Sequence, residues 1–358
     1  MTTMADIAKR AGVSVSTVSY VLSGKRPISQ QTRERVLAEI RKSNFQPNAA
    51  GRALASRRSR TIALLYPIEA TGFTRMPLEF VISAAEEAGR QGYALLVSTS
   101  NAEDEEILAK IQRGAVDGII VMEVSLHDPR VLMLRERGIP FTMIGHSADN
   151  TGLSYVDLDF PQAIEAAVAH LFDLGHRQIA LVDRSTEERG LGYGPSVRSR
   201  AGFRESMASR GLSGLHFPCA ATSEDGARVA RELLTAHPNT TAIISLNTEA
   251  LGGIYSAVRE HGMTIPADFS IVAITSPRTA EFMVPQLTSV DFPAALMGRM
   301  GVEFLVRQLE GGENTEIEQS LLKPTITVRK SSGPVPARCP DVYLSRQRCR
   351  PHTPRSRA

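Results

Sequence analysis

Small polar side chains and one tyrosine gather on one face of a short helical pattern near the N-terminus. Val18 and Val21 repeat at helical spacing and are expected to face inward. The side chains left on the outward face are Val15, Ser16, Thr17, Ser19 and Tyr20. Hydroxyl groups of this size suit phosphates and base edges in a DNA major groove, which admits an α-helix. The stretch is therefore a candidate for a helix that reads DNA.

The residues around this stretch predict two further helices. Thr3 and Asp6 have the spacing of a capping box, which starts a first helix, and Gly12 can take the left-handed conformation that ends it. Ser14 is placed to cap the second helix, and Ser29 to cap a third. Two short helices with a tight turn and a supporting third helix predict a helix-turn-helix. A three-helix module that binds protein has the same pattern and remains the alternative.

Charge is segregated along the 358-residue chain, although the net charge is only +3. Residues 1–60 hold twelve Lys and Arg against three acids, a net charge of +9. Residues 331–358 carry +5, and residues 61–330 carry −11. Clustered cations favour a polyanionic partner, whereas an acidic body stays soluble and away from DNA. The pattern indicates a nucleic-acid-binding head joined to a separate body.

Two stretches of the head resemble a known family. MADIAKRAGVSVSTVS, residues 4–19, is similar to the headpiece signature of the LacI/GalR repressors, and FQPNAAGRALAS, residues 45–56, is similar to their hinge helix. The resemblance implies a headpiece over 1–46 and a hinge helix with linker over 47–60. It also implies base reading by Val15, Ser16 and Tyr20, and phosphate contacts from Ser14, Thr17, Ser19, Arg26 and Asn48.

Leu54 is a large apolar side chain in an otherwise Ala- and Arg-rich linker. The resemblance implies that it enters the minor groove and kinks the duplex, as apolar wedges do. Packing of Leu54 on the body is the alternative. Gly51 departs from the usual hinge composition. Since glycine costs about 1 kcal/mol relative to alanine in a helix, the hinge helix should be harder to order away from DNA.

Apolar strand-like runs alternate with amphipathic helical stretches from residue 61 to about residue 330. The predicted strands include Thr61–Tyr66, Ala94–Ser98, Gly118–Met122, Phe141–Ile144, Ile179–Val182, Ala242–Ser245 and Ile271–Ile274. The alternation predicts an α/β fold of parallel doubly wound sheets. Its repetition before and after about residue 158 predicts two similar lobes. A ligand would then lie where the strand ends of the two lobes face each other.

Several segments of the body resemble landmarks of the family's effector domain, which is two-lobed like a periplasmic binding protein. The matching segments are residues 171–180, 201–204, 262–272 and 285–290. The resemblance implies three crossings between the lobes, near Asp159, Val290 and Ser320, and a structural role for His176. It further implies a small-molecule effector and a homodimer that binds a pseudo-palindromic DNA operator.

The expected effector-binding residues are Phe73, His146, Asp159, Arg198, Arg200, Asn247 and Thr275. Asn247 and Thr275 stand where the family commonly has acids, and Ser199 stands between two arginines where the family usually has an arginine. Loss of two carboxylates weakens the case for a simple sugar, whereas arginine matches carboxylate or phosphate bidentately. An anionic metabolite and a neutral sugar therefore both stay open as effectors.

Other classes of protein find little support. Gly190–Gly194 resembles a nucleotide-binding loop but does not directly follow a strand, and no catalytic set of Ser, His and carboxylate stands out. Three scattered cysteines fit neither a disulfide framework nor a zinc site. With no signal-peptide pattern and no apolar run near 20 residues, the sequence predicts a cytoplasmic protein without membrane, cofactor or metal. An enzyme on an α/β fold and a binding protein without a transcriptional role are the alternatives.

The last segment, residues 331–358, is rich in Pro, Ser and Arg without apolar periodicity, so it is expected to be disordered. Its arginines either add nonspecific affinity for DNA or belong to a solvated extension. The domains before it predict an effector-responsive transcriptional regulator, and specifically a repressor.

Overall fold

The structure is a computed structural model that describes residues 2–23, 26–43, 58–67, 75–99, 109, 111, 113–184, 192–311 and 315–336. Contacts divide the chain into one unit of residues 1–61 with 105–117 and a second unit of 62–104 with 118–358. The first unit contains the helices α1 (Met4–Ala11), α2 (Val15–Ser23) and α3 (Gln30–Lys42). The second unit contains two sheets with helices packed on them.

The ends of the three N-terminal helices are set by local hydrogen bonds. Thr3 Oγ1 accepts a hydrogen bond from the Asp6 amide at 3.3 Å, and the Asp6 carboxylate accepts one from the Thr3 amide at 2.8 Å, which is the predicted capping box. Gly12 ends α1 with a φ of 62°. Ser14 caps α2 and Ser29 caps α3 through their hydroxyls, 3.1 and 3.3 Å from the amides that they accept from.

One small core holds these helices together. Its buried side chains are Ile7, Ala8, Ala11, Val18, Val21 and Val36. Because α2 buries its Val18 and Val21 side, its opposite side faces solvent. The predicted inward and outward faces of α2 are therefore those of the structure.

The N-lobe is one of the two lobes of the second unit and includes a late segment of the chain, residues 294–322. Its sheet has the order β11-β5-β4-β3-β1-β2, and its described strand pairs are parallel. The strands are β1 (Thr61–Leu65), β2 (Ala94–Ser98), β3 (Gly118–Met122), β4 (Phe141–Ile144), β5 (Ser154–Leu158) and β11 (Gln319–Leu322). The helices are α4 (Arg75–Arg90), α5 (Pro129–Glu136) and α11 (Ala294–Gly311). Buried residues of α4 and α11 belong to one core cluster with this sheet.

The C-lobe repeats this arrangement with the order β12-β10-β9-β8-β6-β7, in which only β12 is antiparallel to its described neighbour. The strands are β6 (Ile179–Arg184), β7 (Leu215–Cys219), β8 (Ala242–Ser245), β9 (Ser270–Thr275), β10 (Thr288–Asp291) and β12 (Ile326–Thr327). The helices are α6 (Phe160–Asp173), α7 (Gly194–Ala208), α8 (Ser223–Ala236), α9 (Leu251–Glu260) and α10 (Pro277–Phe282). Two doubly wound lobes confirm the predicted fold class.

The chain crosses between the lobes three times. The first crossing follows β5 at Asp159, and the second follows β10 at Phe292. These two lie close to the predicted positions. The third lies between Leu322 and Ile326, a few residues after the predicted Ser320. Among the described residues, no helix is long and apolar enough to cross a membrane.

The segment that follows β12 corrects one prediction. Disorder was expected from residue 331, but Ser331 and Ser332 are buried in the C-lobe. Ser331 Oγ donates to the Ile271 carbonyl at 2.5 Å and accepts from the Thr288 amide at 2.7 Å. Hydroxyls rather than apolar side chains hold this segment, so a search for apolar periodicity misses it. The rest of the predicted disordered tail, 337–358, lies outside the described residues.

Candidate nucleic-acid interface and ligand cleft

The outward face of α2 presents the predicted DNA-contacting side chains together. Ser14, Val15 and Ser16 are exposed, while Thr17 and Ser19 are partly exposed. The Ser14 hydroxyl lies 2.8 Å from both the Ser16 and the Thr17 hydroxyls. The hydroxyls thus form a small cluster at the N-terminal end of the helix, where backbone amides and the helix dipole favour a phosphate.

The side chain of Tyr20, in α2, lies close to that of Arg26. The Arg26 guanidinium carbon lies 5.2 Å from the centre of the Tyr20 ring. A cation–π contact of this kind is attractive and restrains both side chains. The predicted base-reading ring is therefore oriented by the arginine predicted to contact phosphate.

Three predicted site residues cannot be placed in the structure. Asn48, Leu54 and Phe73 lie outside the described residues. Their roles in phosphate contact, minor-groove insertion and effector binding remain predictions.

A cleft separates strand ends of the N-lobe from strand ends of the C-lobe. Met122 and Ile144 line it from β3 and β4, and Arg184 and Ile274 line it from β6 and β9. Parallel sheets present ligands with the carboxyl ends of their strands. The cleft therefore lies where the alternating pattern predicted a ligand.

Aromatic side chains form much of the cleft wall. Tyr66, Phe80, Phe160, Tyr193 and Phe292 all line it. Phe292 lies on the second crossing, with its ring centre 5.8 Å from that of Phe80 and 6.0 Å from that of Phe160. These rings bring together an N-lobe helix, a C-lobe helix and a crossing segment.

The charged side chains of the cleft are mostly acidic. Glu123, Asp157 and Glu249 contribute carboxylates, and Arg184 contributes a guanidinium. None of these four residues was among the predicted effector-binding residues. Two of them have a positional signal in the sequence. Glu123 directly follows the predicted strand Gly118–Met122, and Arg184 lies two residues after the predicted strand Ile179–Val182, which the structure extends to Arg184. The cleft is thus more acidic than the residues at 247 and 275 suggested.

The backbone at Glu123 is held in an unusual conformation. Its φ is 57°, which is uncommon for a residue other than glycine. Arg130 Nη2 donates to the carbonyls of Met122 and Glu123 at 2.9 and 3.2 Å. Arg130 in turn pairs through two nitrogens with Asp128, at 3.0 and 2.7 Å. Burial raises the pKa of Asp128, but the hydrogen bonds and charge of Arg130 outweigh it and leave that pKa below its usual value.

Three of the predicted effector residues have structural contacts instead. Asn247 is fully buried, and its Nδ2 donates to the carbonyls of Cys219 and Ala220 at 2.9 and 3.0 Å. Thr275 is also fully buried, with its hydroxyl 3.3 Å from that of Thr248. Asp159 caps α6. None of the three is among the residues that line the cleft.

The two predicted arginines also point elsewhere. Arg198 Nη2 donates to the carbonyls of His146 and Ser147 at 2.7 and 3.2 Å. Arg200 Nε lies 3.5 Å from the Asp183 carboxylate, within the C-lobe. Neither arginine lines the cleft. His146 lies behind the wall, where its Nδ1 is 2.8 Å from Asp157 Oδ2.

Comparisons with known proteins match both units. Residues 3–48 match the model described as bacterial regulatory proteins, lacI family, and residues 168–332 match a periplasmic binding protein-like domain. The transcriptional regulator AglR of Rhizobium meliloti is 30% identical over 346 residues, which cover 94% of this chain and 95% of AglR. Catabolite control protein A of Staphylococcus xylosus is 28% identical, over 86% and 92% of the two chains.

Solved structures show the same architecture. The complex of the regulator CelR with cellobiose is 26% identical, with a TM-score of 0.67 over 93% of this chain and all of that one. The lac repressor dimer bound to operator and an anti-inducer has a TM-score of 0.79 over 93% and 99% of the two chains. At 22% identity, that second likeness shows the fold alone.

A helix-turn-helix unit combined with a two-lobed, ligand-binding body defines a DNA-binding transcriptional regulator whose DNA binding responds to an effector. The match to AglR over nearly the full length of both chains shows the family: this chain belongs to the lacI family of bacterial regulatory proteins. Its relatives are transcriptional regulators, so the chain is a regulator and not an enzyme.

Proposed function

We propose that this protein represses transcription as a homodimer on a pseudo-palindromic operator, and that a neutral, hydroxyl-rich small molecule such as a sugar controls it. The observation that carries the effector class is the combination of three carboxylates and five aromatic rings in one cleft. Carboxylates accept strong hydrogen bonds from hydroxyl groups. An anion is disfavoured because the two arginines proposed to bind it, Arg198 and Arg200, are engaged outside the cleft.

The relatives support this effector class. The CelR structure, 26% identical to this chain, holds cellobiose. Cellobiose is neutral and rich in hydroxyls, like the class that the acidic and aromatic cleft favours.

The DNA-contacting surface is proposed to be the outward face of α2 together with the hinge. Val15, Ser16 and Tyr20 read bases, and Ser14, Thr17, Ser19, Arg26 and Asn48 contact phosphates. Leu54 is the minor-groove wedge. The exposed hydroxyl cluster and the Tyr20–Arg26 contact support the first two assignments. Since the ligand is chromosomal DNA, we place the protein in the cytoplasm.

The dimer is proposed to form through α4 and α10. Leu78 and Ile82 of α4 are 45% and 49% exposed, and Phe282 and Val284 at the end of α10 are 63% and 74% exposed. Ser276, which caps α10, donates to Glu79 of α4 at 2.9 Å, so the two helices lie side by side. Exposed apolar side chains gathered in this way are typical of a protein–protein interface.

A two-part experiment tests the proposal. Operators are first selected from random duplexes and footprinted, and a dimer should protect two half-sites about one helical turn apart. Tyr20→Ala should lose about 1–3 kcal/mol of base preference at one symmetric pair of positions, and Tyr20→Phe should lose less. Leu54→Ala should reduce the DNA bend. A single asymmetric half-site at saturation contradicts the dimer.

The second part identifies the effector class. Neutral sugars and their phosphorylated or carboxylated counterparts are screened by thermal shift, since a ligand of the folded state raises Tm. A neutral sugar should raise Tm and change operator affinity. Glu249→Gln should weaken that response, whereas Glu224→Gln, on the exposed start of α8, serves as the control. A response confined to anionic compounds would disprove the effector class.

A further inference from the structure

A single arginine joins the two lobes beside the cleft. Arg198 belongs to α7 of the C-lobe, and the carbonyls that it binds, those of His146 and Ser147, follow β4 of the N-lobe. One guanidinium nitrogen, Nη2, makes both bonds. The Arg198 side chain thus spans from one lobe to the backbone of the other.

The backbone next to this contact is built to let the arginine pass. Gly194, at the start of α7, is buried, and its amide donates to the Val124 carbonyl of the N-lobe at 3.2 Å. A Cβ at position 194 would overlap Arg198 Nη1 and would come within 3.0 Å of that same carbonyl. Leu126 donates to the Gly192 carbonyl at 2.7 Å, so the lobes approach backbone to backbone here. A side chain at position 194 would therefore displace the arginine or widen the backbone approach.

This contact is connected to the cleft wall. His146, whose carbonyl holds Arg198, places its ring 2.8 Å from Asp157 Oδ2 and stacks it on Tyr155 at 5.0 Å. Asp157 lines the cleft, as do Tyr193 and Ser196 on either side of Gly194. A ligand that shifts any of these lining residues therefore acts on groups within one or two contacts of Arg198.

Two features lower the net free energy that this contact contributes. Desolvation lowers the pKa of Arg198 from its usual value. Its Nη1 is buried with no hydrogen-bond partner among the described residues. A buried donor without a partner costs free energy, which offsets what the two carbonyl bonds gain. Breaking this contact should therefore cost less free energy than breaking one whose donors are all satisfied.

We propose that Arg198 is a positioning residue rather than an effector ligand. Together with Gly194, His146 and Ser147 it forms a clasp that sets the separation of the lobes and holds His146 against Asp157. The regulatory role of the clasp rests on the proposed function, because the effector would act by tightening or releasing this contact. The effect of the clasp on lobe separation does not depend on that function.

The test measures lobe separation directly in the full chain without DNA or effector. Spin labels are attached at Leu132→Cys on α5 and Thr235→Cys on α8, both exposed positions, after Cys339 and Cys349 are replaced by serine. Double electron–electron resonance spectroscopy then gives the distribution of distances between the two spin labels. The variants are Arg198→Met, Arg198→Lys and Gly194→Ala. Arg200→Met, two residues further along α7 with contacts inside the C-lobe, is the matched control.

The clasp predicts a longer or broader label distance for Arg198→Met and Gly194→Ala, and an unchanged distance for Arg200→Met. Arg198→Lys keeps the charge but has a shorter side chain and lacks the fixed planar donor geometry of the guanidinium, so it should also broaden the distribution. This variant decides the matter if Arg198→Met fails to fold. Wild-type distances in folded Arg198→Met or Arg198→Lys would overturn the proposal.

Operator binding by the same variants separates the clasp from the proposed function. Where the clasp couples to DNA, Arg198→Lys should change operator affinity about fivefold or more while its Tm stays near that of Arg200→Met. Altered distances in a protein that selects no operator would support the clasp and refute the proposed function. Unaltered distances in a protein with a normal operator and effector response would refute only the clasp.

Discussion

Glu123 illustrates how one residue of the cleft depends on a neighbour that never reaches the ligand. The backbone of Glu123 lies in the left-handed region, where residues other than glycine are strained. Such strain persists only when the surrounding structure enforces it. Arg130 enforces it because its Nη2 donates to two successive carbonyls, while Nη2 and Nε also pair with the carboxylate of buried Asp128. The orientation of the Glu123 carboxylate therefore depends on the Arg130–Asp128 ion pair, which does not line the cleft.

Removing Arg130 should therefore be costly. We expect Arg130→Met to lower the free energy of unfolding by about 3 kcal/mol, because Asp128 is left as a buried charge without its partner. Arg135→Met removes the exposed pair with Asp149 and should cost much less, because water screens an exposed pair. Urea denaturation at neutral pH measures both. Equal losses in the two variants would show that the Arg130 pair has no special role.

The errors at residue level have a common physical cause. Asn247 and Thr275 follow strands, as ligand-binding residues often do, but they turn inward and satisfy groups of the C-lobe. Arg198 was expected near the cleft and does lie beside it. Its guanidinium, however, donates hydrogen bonds to the backbone of the N-lobe. The position of a residue at the end of a strand can be predicted from the sequence. The direction of a side chain depends on partners from distant segments.

Among the elements, the short segment after β12 shows how polar contacts replace an apolar face. His176 is fully buried, with its Nε2 donating to the Gly333 carbonyl at 3.0 Å and its Nδ1 2.8 Å from the Thr241 hydroxyl. His170 contacts the Ser332 hydroxyl at 2.8 Å. Two histidines thus anchor the end of the described chain to the C-lobe, which gives His176 the structural role that the family resemblance implied.

This anchoring should weaken in acid. Burial lowers the pKa of His176 below its usual value, although the bond to Gly333 opposes the shift. Since the unfolded chain then binds the proton more readily, the stabilisation is complete above about pH 6.5 and is lost as pH falls through the folded pKa. We expect the free energy of unfolding to drop from pH 7.5 to 5.5, and to drop less in His176→Gln.

The comparison variant is His261→Gln, which replaces an exposed histidine at the end of α9. It should retain the full acid sensitivity of the wild type. His170, whose pKa is also lowered by burial, remains in both variants and accounts for a residual slope. An unchanged slope in His176→Gln would mean that another group controls the acid response.

The elements that could be predicted are those with strong local signals. Strands such as Gly118–Met122 and Ala242–Ser245 are buried on both faces and read as continuous apolar runs. β7, with the sequence LHFPC, and the two-residue β12 lie at sheet edges and carry no such run. Their strand conformation is set by pairing with β6 and β10, which a local pattern does not contain.

At the scale of the whole molecule, the exposed apolar side chains of α4 and α10 carry the proposed dimer. Phe282→Glu places a charge in that face, where desolvating it is expensive. We expect this variant to sediment as a monomer at concentrations where the wild type is a dimer, and to bind a full operator more weakly. Analytical ultracentrifugation measures the first effect and gel shift the second.

Leu132→Glu provides the matched control, since Leu132 is 56% exposed but lies on α5. It should leave the dimer intact. If both variants remained dimeric, the subunits would have to meet through another surface. If both dissociated, the change in net charge would be responsible and the α4–α10 face would lose its support.

The three crossings also determine when each lobe can be completed during translation. The N-lobe sheet begins with β1 at Thr61 but gains α11 and β11 only from residues 294–322, after nearly all of the C-lobe has been made. At roughly 5–20 residues per second, a ribosome needs about 10 to 30 s to travel from the end of β5 to the end of β11. Throughout that interval the nascent N-lobe shows an unpaired β5 edge and an apolar layer awaiting α11. The half-made protein thus exposes this sheet edge and this apolar layer until translation is almost complete.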